Sequence, residues 1–162
     1  MSDIRSLSLS FIAAWLAGCA SFQSLQAGAS TRNDVLAKFG PPTASHALDG
    51  GGETLVYPGG RLGIATWMVS LDADGKVSRV EQVRSEEGFA RVQLGMDFAQ
   101  VERLLGPPSR VTPAGLNPGT AWEFRYRDQW LHYARYNIIF DPDGRVRDAY
   151  PIREVVDSHD RH

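Results

Sequence analysis

The sequence is poor in the residues that catalytic, metal-binding and cross-linked proteins require. It contains a single cysteine, Cys19, so no intramolecular disulfide can form. It has no Gly-x-Ser-x-Gly motif and no glycine-rich phosphate loop. Its four histidines are not spaced as a metal-binding pair: His46, His132, His159 and His162. We therefore expect no catalytic residues, no metal site and no cofactor, and we predict that the protein is not an enzyme.

Excess charge and long apolar runs are also missing. The 17 Lys and Arg residues almost balance the 19 Asp and Glu residues, and the net charge is −2 at pH 7. Without a basic excess we expect no binding to nucleic acid. The apolar run at residues 7–17 is shorter than the roughly 20 residues that a bilayer-spanning helix needs.

That short run belongs to a pattern typical of a secretory signal. A stretch containing Arg5 precedes the run, and small residues follow it. The residues Leu-Ala-Gly-Cys at 16–19 resemble the bacterial lipobox, in which the cysteine is acylated and becomes the first mature residue. The alternative is an ordinary signal peptide that happens to contain a cysteine. We predict a signal peptide at 1–18, an acyl chain such as palmitate on Cys19, and a lipid-anchored linker at 19–24.

The rest of the chain contains an internal repeat. Gly-Pro-Pro occurs at 40–42 and 106–108, each time after a segment patterned as a short, N-capped helix. Alternating segments then predict antiparallel strands, and Asp-x-Asp-Gly follows at 72–75 and 141–144. We predict one unit at 25–83, a connector at 84–92, a second unit at 93–152 and a polar, flexible tail at 153–162.

The repeat predicts an α+β fold. Two tandem helix-plus-three-strand units should form one continuous antiparallel sheet, with the helices packed on one face through Val35, Leu36 and Phe39 and through Val101, Leu104 and Leu105. A calcium loop is the other interpretation of the Asp-x-Asp-Gly segments. Position twelve of such a loop needs glutamate and here holds Val83 or Ile152, so we interpret both segments as hairpin turns.

Three features together resemble the BamE (SmpA/OmlA) family of outer-membrane lipoproteins: the helix ending in Gly-x-Pro, the aromatic strand, and the strand ending in Asp-x-Asp-Gly-x-Val. The likeness covers most of 25–83 and 93–150. It implies a non-catalytic lipoprotein of the outer membrane, facing the periplasm, that binds an envelope partner such as the β-barrel assembly machinery. The tandem arrangement is instead similar to the β-lactamase inhibitor protein-like fold. It implies, as the alternative, an inhibitor or regulator that binds a periplasmic enzyme such as a hydrolase on its concave sheet.

The hairpin of the second unit carries the candidate binding residues. Alternation places one set of side chains on the sheet face away from the core, with a tryptophan at the tip: Arg125, Arg127, Trp130, Tyr133 and Arg135. Arginine, tyrosine and tryptophan are enriched in protein interfaces. The same face could also meet anionic headgroups, or only keep the sheet soluble. The corresponding face of the first unit has no arginine cluster and holds Val56, Thr66, Met68 and Ser70.

Overall fold

The computed structural model describes residues 21–59, 63–115 and 118–153. Helices α1 to α3 span Arg32–Phe39, Glu86–Phe89 and Phe98–Leu105. Strands β1 to β4 span Ala44–Ala47, Glu53–Gly59, Ala65–Leu71 and Val77–Gln82; β5 to β8 span Arg110–Pro113, Thr120–Arg127, Tyr133–Phe140 and Val146–Arg153. The predicted signal peptide, Cys19 and the tail beyond residue 153 lie outside the described residues. No helix in the described part of the chain is long and apolar enough to cross a membrane.

The predicted α+β class is confirmed, and each unit is an antiparallel four-stranded meander. The strand orders are β1-β2-β3-β4 and β5-β6-β7-β8. Two details of the prediction are wrong. Each unit has four strands rather than three, because a short edge strand, β1 or β5, follows each Gly-Pro-Pro turn. The described strands also form two separate sheets rather than one continuous sheet.

Local signals explain why α1 and α3 begin and end where they do. Thr31 and Asp34 form the reciprocal capping box that the sequence predicts, and the Thr31 N–H donates to Asp34 Oδ2 at 2.8 Å. Asp97 and Gln100 repeat this arrangement, with both hydrogen bonds at 2.9 Å. Both helices end at a glycine with positive φ, at 75° for the first unit and 72° for the second.

Each helix packs on the inner face of its own sheet. Val35 is completely buried and joins the first core with Leu55, Val69 and Leu71. In the second unit Val101 and Leu105 are equally buried, and they join the second core with Phe124, Ile138 and Phe140. The predicted apolar helix faces are therefore confirmed, although Phe39 is only half-buried and stacks on Phe22 with ring centroids 3.9 Å apart.

The structural repeat starts earlier than the sequence units. Phe22 stacks on Trp67 in the first core, and Phe89 stacks on Tyr136 in the second, with centroids 5.3 and 4.2 Å apart. The residues predicted as linker and connector thus contribute to the cores. The signal for this is Phe-x-x-Leu-x-x-Gly at 22–28 and Phe-x-x-Val-x-x-Gly at 89–95.

The two units meet on the outer face of the first sheet, which we define as Thr54, Val56, Thr66, Met68 and Ser70. Val56 and Thr66 have no exposed surface, and Met68 is 7% exposed. The C-terminal end of α3 lies on them, since a Cβ added at Gly106 would be 2.8 Å from Thr66 Cγ2. Removal of Val56 and Met68 from water favours this packing of the two units.

Candidate protein-binding surface

The strand register aligns the outer faces of the two sheets residue by residue. Leu71 pairs with Val77 and Phe140 with Val146, each next to a register shift at the same place. Counting from these pairs, Val56 corresponds to Glu123, Met68 to Asn137 and Thr66 to Arg135. Buried apolar or small side chains in the first sheet are thus replaced by polar and charged ones in the second.

The outer face of the second sheet, which we define as Glu123, Arg125, Arg127, Tyr133, Arg135 and Asn137, brings four of the predicted binding residues together. Arg127 and Tyr133 are register partners. Arg127 Nη2 donates to the Tyr133 hydroxyl at 3.1 Å, and its guanidinium carbon lies 5.1 Å from the centroid of that ring. This contact holds a flat cationic and aromatic pair on the surface.

Arg125 and Arg135 are also direct register partners. Like charges placed opposite each other on a sheet are destabilising. Glu123, two residues before Arg125 on β6 and diagonal to Arg135 across the strand pair, offsets part of this repulsion, because Arg135 Nη1 donates to Glu123 Oε2 at 3.3 Å. The face therefore concentrates positive charge on a chain whose net charge is negative.

The tip loop, residues 128–132, presents two large apolar side chains. Trp130 is 65% exposed and Leu131 is 72% exposed. Leu131 has a φ of 64°, and it is the one non-glycine residue with positive φ in the described part of the chain. A bulky side chain in this left-handed conformation costs about 1–2 kcal/mol, and such strain tends to occur at functional sites.

Asp128 holds the tip loop in this shape. Its buried carboxylate accepts hydrogen bonds from the backbone N–H groups of Trp130 and His132, both at 2.9 Å, and pairs with Arg153 at 3.1 Å. Burial alone would raise the pKa of this carboxyl. The two N–H donors and the charge of Arg153 outweigh that effect, so the pKa of Asp128 lies below its usual value. The exposed tip is therefore fixed by buried contacts.

Arg84 connects this surface to the junction between the units. It is 3% exposed, and its guanidinium donates to the carbonyl of Pro107 at 2.6 Å and to Ser109 Oγ at 2.9 Å. Ser109 Oγ in turn accepts the backbone N–H of Arg125 at 3.1 Å. Burial lowers the pKa of Arg84 to about 10. Arg84 therefore anchors the strand that carries Arg125.

Sequence reasoning missed Arg84, Asp128 and Leu131. Asp128 had a local signal, since an aspartate that bonds the N–H two residues ahead is typical of a turn. Arg84 had no such signal, because its burial depends on Pro107 and Ser109, far away in the sequence. Leu131 had none, because leucine rarely adopts a positive φ. In the described residues no three His, Cys, Asp or Glu side chains are grouped so that they could hold a metal ion.

No protein-family model matches the chain, and no curated protein matches its sequence. Similar solved structures include a protein described as the osmotically inducible lipoprotein OsmE, with 23% identity over 43% of this chain and 73% of that chain and a TM-score of 0.38. A DUF4309 family protein (YjgB) from Bacillus subtilis subsp. subtilis str. 168 is 18% identical over 82% of this chain and 84% of its own, with a TM-score of 0.32. A protein named as a beta-lactamase inhibitor protein, from Streptococcus mutans, is 12% identical over 81% of this chain and 92% of its own, with a TM-score of 0.31. These likenesses are too distant to assign a function, which has to be argued from the residues of this chain.

Proposed function

We propose that this protein is a lipid-anchored envelope lipoprotein that acts by binding another protein, not by catalysis. One observation carries the proposal: the outer face of the first sheet is already an interface. Val56 and Thr66 of this face are buried against Gly106 of the second unit, whereas the described chain provides no third unit to cover the equivalent face of the second sheet. The first sheet uses its outer face for a contact within the chain. We infer that the second sheet uses the equivalent face to bind a partner protein.

The residues of the two outer faces indicate that the second face binds a separate protein that can dissociate. The first face buries Val56 and Met68, as permanent interfaces do. The second face replaces them with polar residues and adds arginine and tyrosine, which are enriched where separable proteins meet. Arginine matches carboxylates with paired hydrogen bonds, so the expected partner surface is acidic.

The tip loop adds an apolar contact to this charged face. Trp130 and Leu131 are exposed at the end of the hairpin that carries the arginines, in a loop whose backbone Asp128 holds before any partner arrives. A pre-ordered loop loses little conformational entropy when it binds. We therefore infer that the tip enters an apolar pocket while Arg125 and Arg135 meet acidic side chains around it.

The N-terminal sequence supports the location. If Cys19 is acylated at the lipobox-like Leu-Ala-Gly-Cys, two or more acyl chains would hold the protein on a membrane, whereas one chain binds only marginally. Ala20 follows Cys19, without the aspartate that in related lipoproteins favours the inner membrane, so we place the protein on the outer membrane. Together with the resemblance to the BamE family, this supports a role in envelope assembly or integrity.

A second candidate function is inhibition of a periplasmic enzyme, and the tip loop favours it. A hairpin loop that is held by hydrogen bonds to Asp128 and exposes a tryptophan suits insertion into an active-site cleft. The two functions differ in the partner that they capture. A barrel-assembly subunit supports the envelope role, and a single hydrolase supports the inhibitor role.

The binding proposal is tested by affinity capture from detergent-solubilised membranes. We expect the double variant Arg125→Glu and Arg135→Glu to lose most of the captured partner while its thermal unfolding midpoint stays close to the wild-type value. Arg147→Glu, an exposed arginine outside the outer face of the second sheet, is the matched control and should retain the partner. Capture that survives substitution of all five predicted residues, Trp130 and Tyr133 included, would show that this surface is not the binding site.

The anchor is tested separately with Cys19→Ser. We expect this variant to be released from membranes or to keep its signal peptide, because the acylated atom is lost. A Cys19→Ser protein that is processed and still sorted to the outer membrane would rule out the lipoprotein assignment. The binding face would not be affected by that result, since purified soluble protein can be used for capture.

A further inference from the structure

A cleft of about 150 Å³ lies between the outer face of the first sheet and helix α3. Three arginines from three segments line it: Arg79 of β4, Arg91 after α2 and Arg103 of α3. Glu81 and the hydroxyls of Thr54 and Ser70 complete its polar wall. The protein-binding surface of the second sheet does not include this cleft.

The charges in the cleft do not balance. Glu81 is shared by two arginines, with Arg79 Nη2 3.1 Å from one carboxylate oxygen and Arg91 Nη2 3.1 Å from the other. Arg103 brings a third guanidinium, and no carboxylate among the described residues lies within ion-pair distance of it. Three positive groups thus face one negative group, which leaves two positive charges in a small space.

Hydrogen-bond donors in the cleft are also in excess. Arg91 Nε and Nη2 are buried and have no acceptor in suitable geometry, so the contact with Glu81 is an ion pair and not a well-formed hydrogen bond at Nη2. Buried donors without acceptors are rare in folded proteins. The Thr54 and Ser70 hydroxyls lie 3.2 Å apart, and one of the two can donate outward. The group that fits must accept several hydrogen bonds and carry negative charge.

We propose that this cleft binds a small oxyanion of the phosphate type. Guanidinium groups match phosphate oxygens in pairs, and such charge-assisted bonds are among the strongest in proteins. The volume suits a phosphate-sized group and is smaller than the roughly 300–1,000 Å³ of pockets for larger ligands. Because the arginines come from both units and from the segment between them, the anion would also strengthen the junction.

The test titrates purified protein with inorganic phosphate, with ionic strength held constant by sodium chloride, and follows arginine side-chain NMR signals and the unfolding midpoint. We expect saturable binding and a midpoint that rises with phosphate concentration. Arg103→Gln should weaken binding by about tenfold or more, since it removes one charge-assisted contact. Arg103 is exposed, so the variant should fold, and its midpoint without phosphate checks this.

Arg147→Gln is the matched control, because Arg147 is an exposed arginine that does not line the cleft. It should bind phosphate as the wild type does. A parallel titration with glycerol phosphate distinguishes the source of the anion: equal binding indicates a phosphomonoester, and binding of inorganic phosphate alone indicates the free ion. The proposal is overturned if no saturable change occurs, or if Arg103→Gln and Arg147→Gln bind equally well.

Discussion

The two sheets of this protein share strand order, turn type and inner-face chemistry, but their outer faces differ. Val56 and Met68 of the first sheet are buried, and Val56 lies against Gly106 of the second unit. Glu123 and Asn137 occupy the same register positions in the second sheet, and both stay partly exposed. An inner face is determined by the need to bury a helix, so it is kept in both units. The residue types of an outer face depend on whether another part of the protein covers it.

The comparison predicts unequal effects on stability for reciprocal substitutions at one register position. Val56→Glu should bury a carboxylate beside Thr66 and Gly106, and we expect a loss of roughly 4 kcal/mol or more in the free energy of unfolding. This is a large share of the 5–15 kcal/mol that stabilises a typical domain. Denaturant unfolding measures it.

Glu123→Val is the matched control. It removes one contact of Arg135, at 3.3 Å on a partly exposed face, and such pairs contribute less than about 1 kcal/mol. The stability should therefore change little. If the two substitutions destabilise equally, the two outer faces do not differ in burial, and the assignment of the first face alone as an internal contact is wrong.

The next prediction compares the helices on the inner faces. Leu105→Ala empties a completely buried site in the second core and should cost roughly 3–5 kcal/mol. Phe39→Ala acts at a half-buried ring whose main contact is Phe22, and should cost about 1–2 kcal/mol. Urea unfolding of both variants gives the comparison. A larger loss for Phe39→Ala would mean that the first helix carries more of the stability than its burial indicates.

Gly40 and Gly106 end helices α1 and α3 with nearly the same φ angle. Substituting each by alanine therefore compares what surrounds the two glycines. Gly40→Ala adds a Cβ that meets nothing within 4 Å, so only the backbone conformation, φ 75° with ψ −165°, opposes it, at about 1–3 kcal/mol. Gly106→Ala has the same backbone cost and also places its Cβ 2.8 Å from Thr66 Cγ2, which should cost about 1–3 kcal/mol more than Gly40→Ala. Equal losses in thermal unfolding would show that the units are not packed through Gly106.

Interactions that span a few residues were predictable from the sequence. The two capping boxes and the Asp-x-Asp-Gly turns depend on side chains three or four positions from the backbone groups that they bond, and the structure confirms both. Alternation also placed Arg125, Arg127, Tyr133 and Arg135 on one face correctly. That these residues bind a partner stays a prediction.

The arrangement of the two units was not predicted, because it depends on contacts between residues far apart in the sequence. A signal was present in β2, where Leu55, Val56 and Tyr57 are consecutive and all buried. A continuous apolar run of this kind indicates a strand covered on both faces, and a single helix per unit covers only one. The added strands β1 and β5 were missed because four residues without clear alternation carry little information.

The smallest predicted effect concerns the tip loop of the second sheet, which has no described counterpart in the first. The pKa of Asp128 in the folded protein lies below its ordinary 3.8, so its ionised form is favoured by folding. This contribution is fully present above about pH 4 and is lost as the pH falls through the folded pKa. The backbone N–H signals of Trp130 and His132 should therefore move together in NMR spectra only below about pH 4.

Asp128→Asn separates the charge from the hydrogen bonds. The amide oxygen can still accept from the Trp130 and His132 N–H groups, but it cannot titrate and no longer attracts Arg153. The acid transition of these two signals should disappear in this variant, while the outer face and both cores keep their wild-type spectra. If the transition persists in Asp128→Asn, or if its midpoint in the wild type lies above 3.8, another group controls the loop and the pre-ordered tip loses its physical basis.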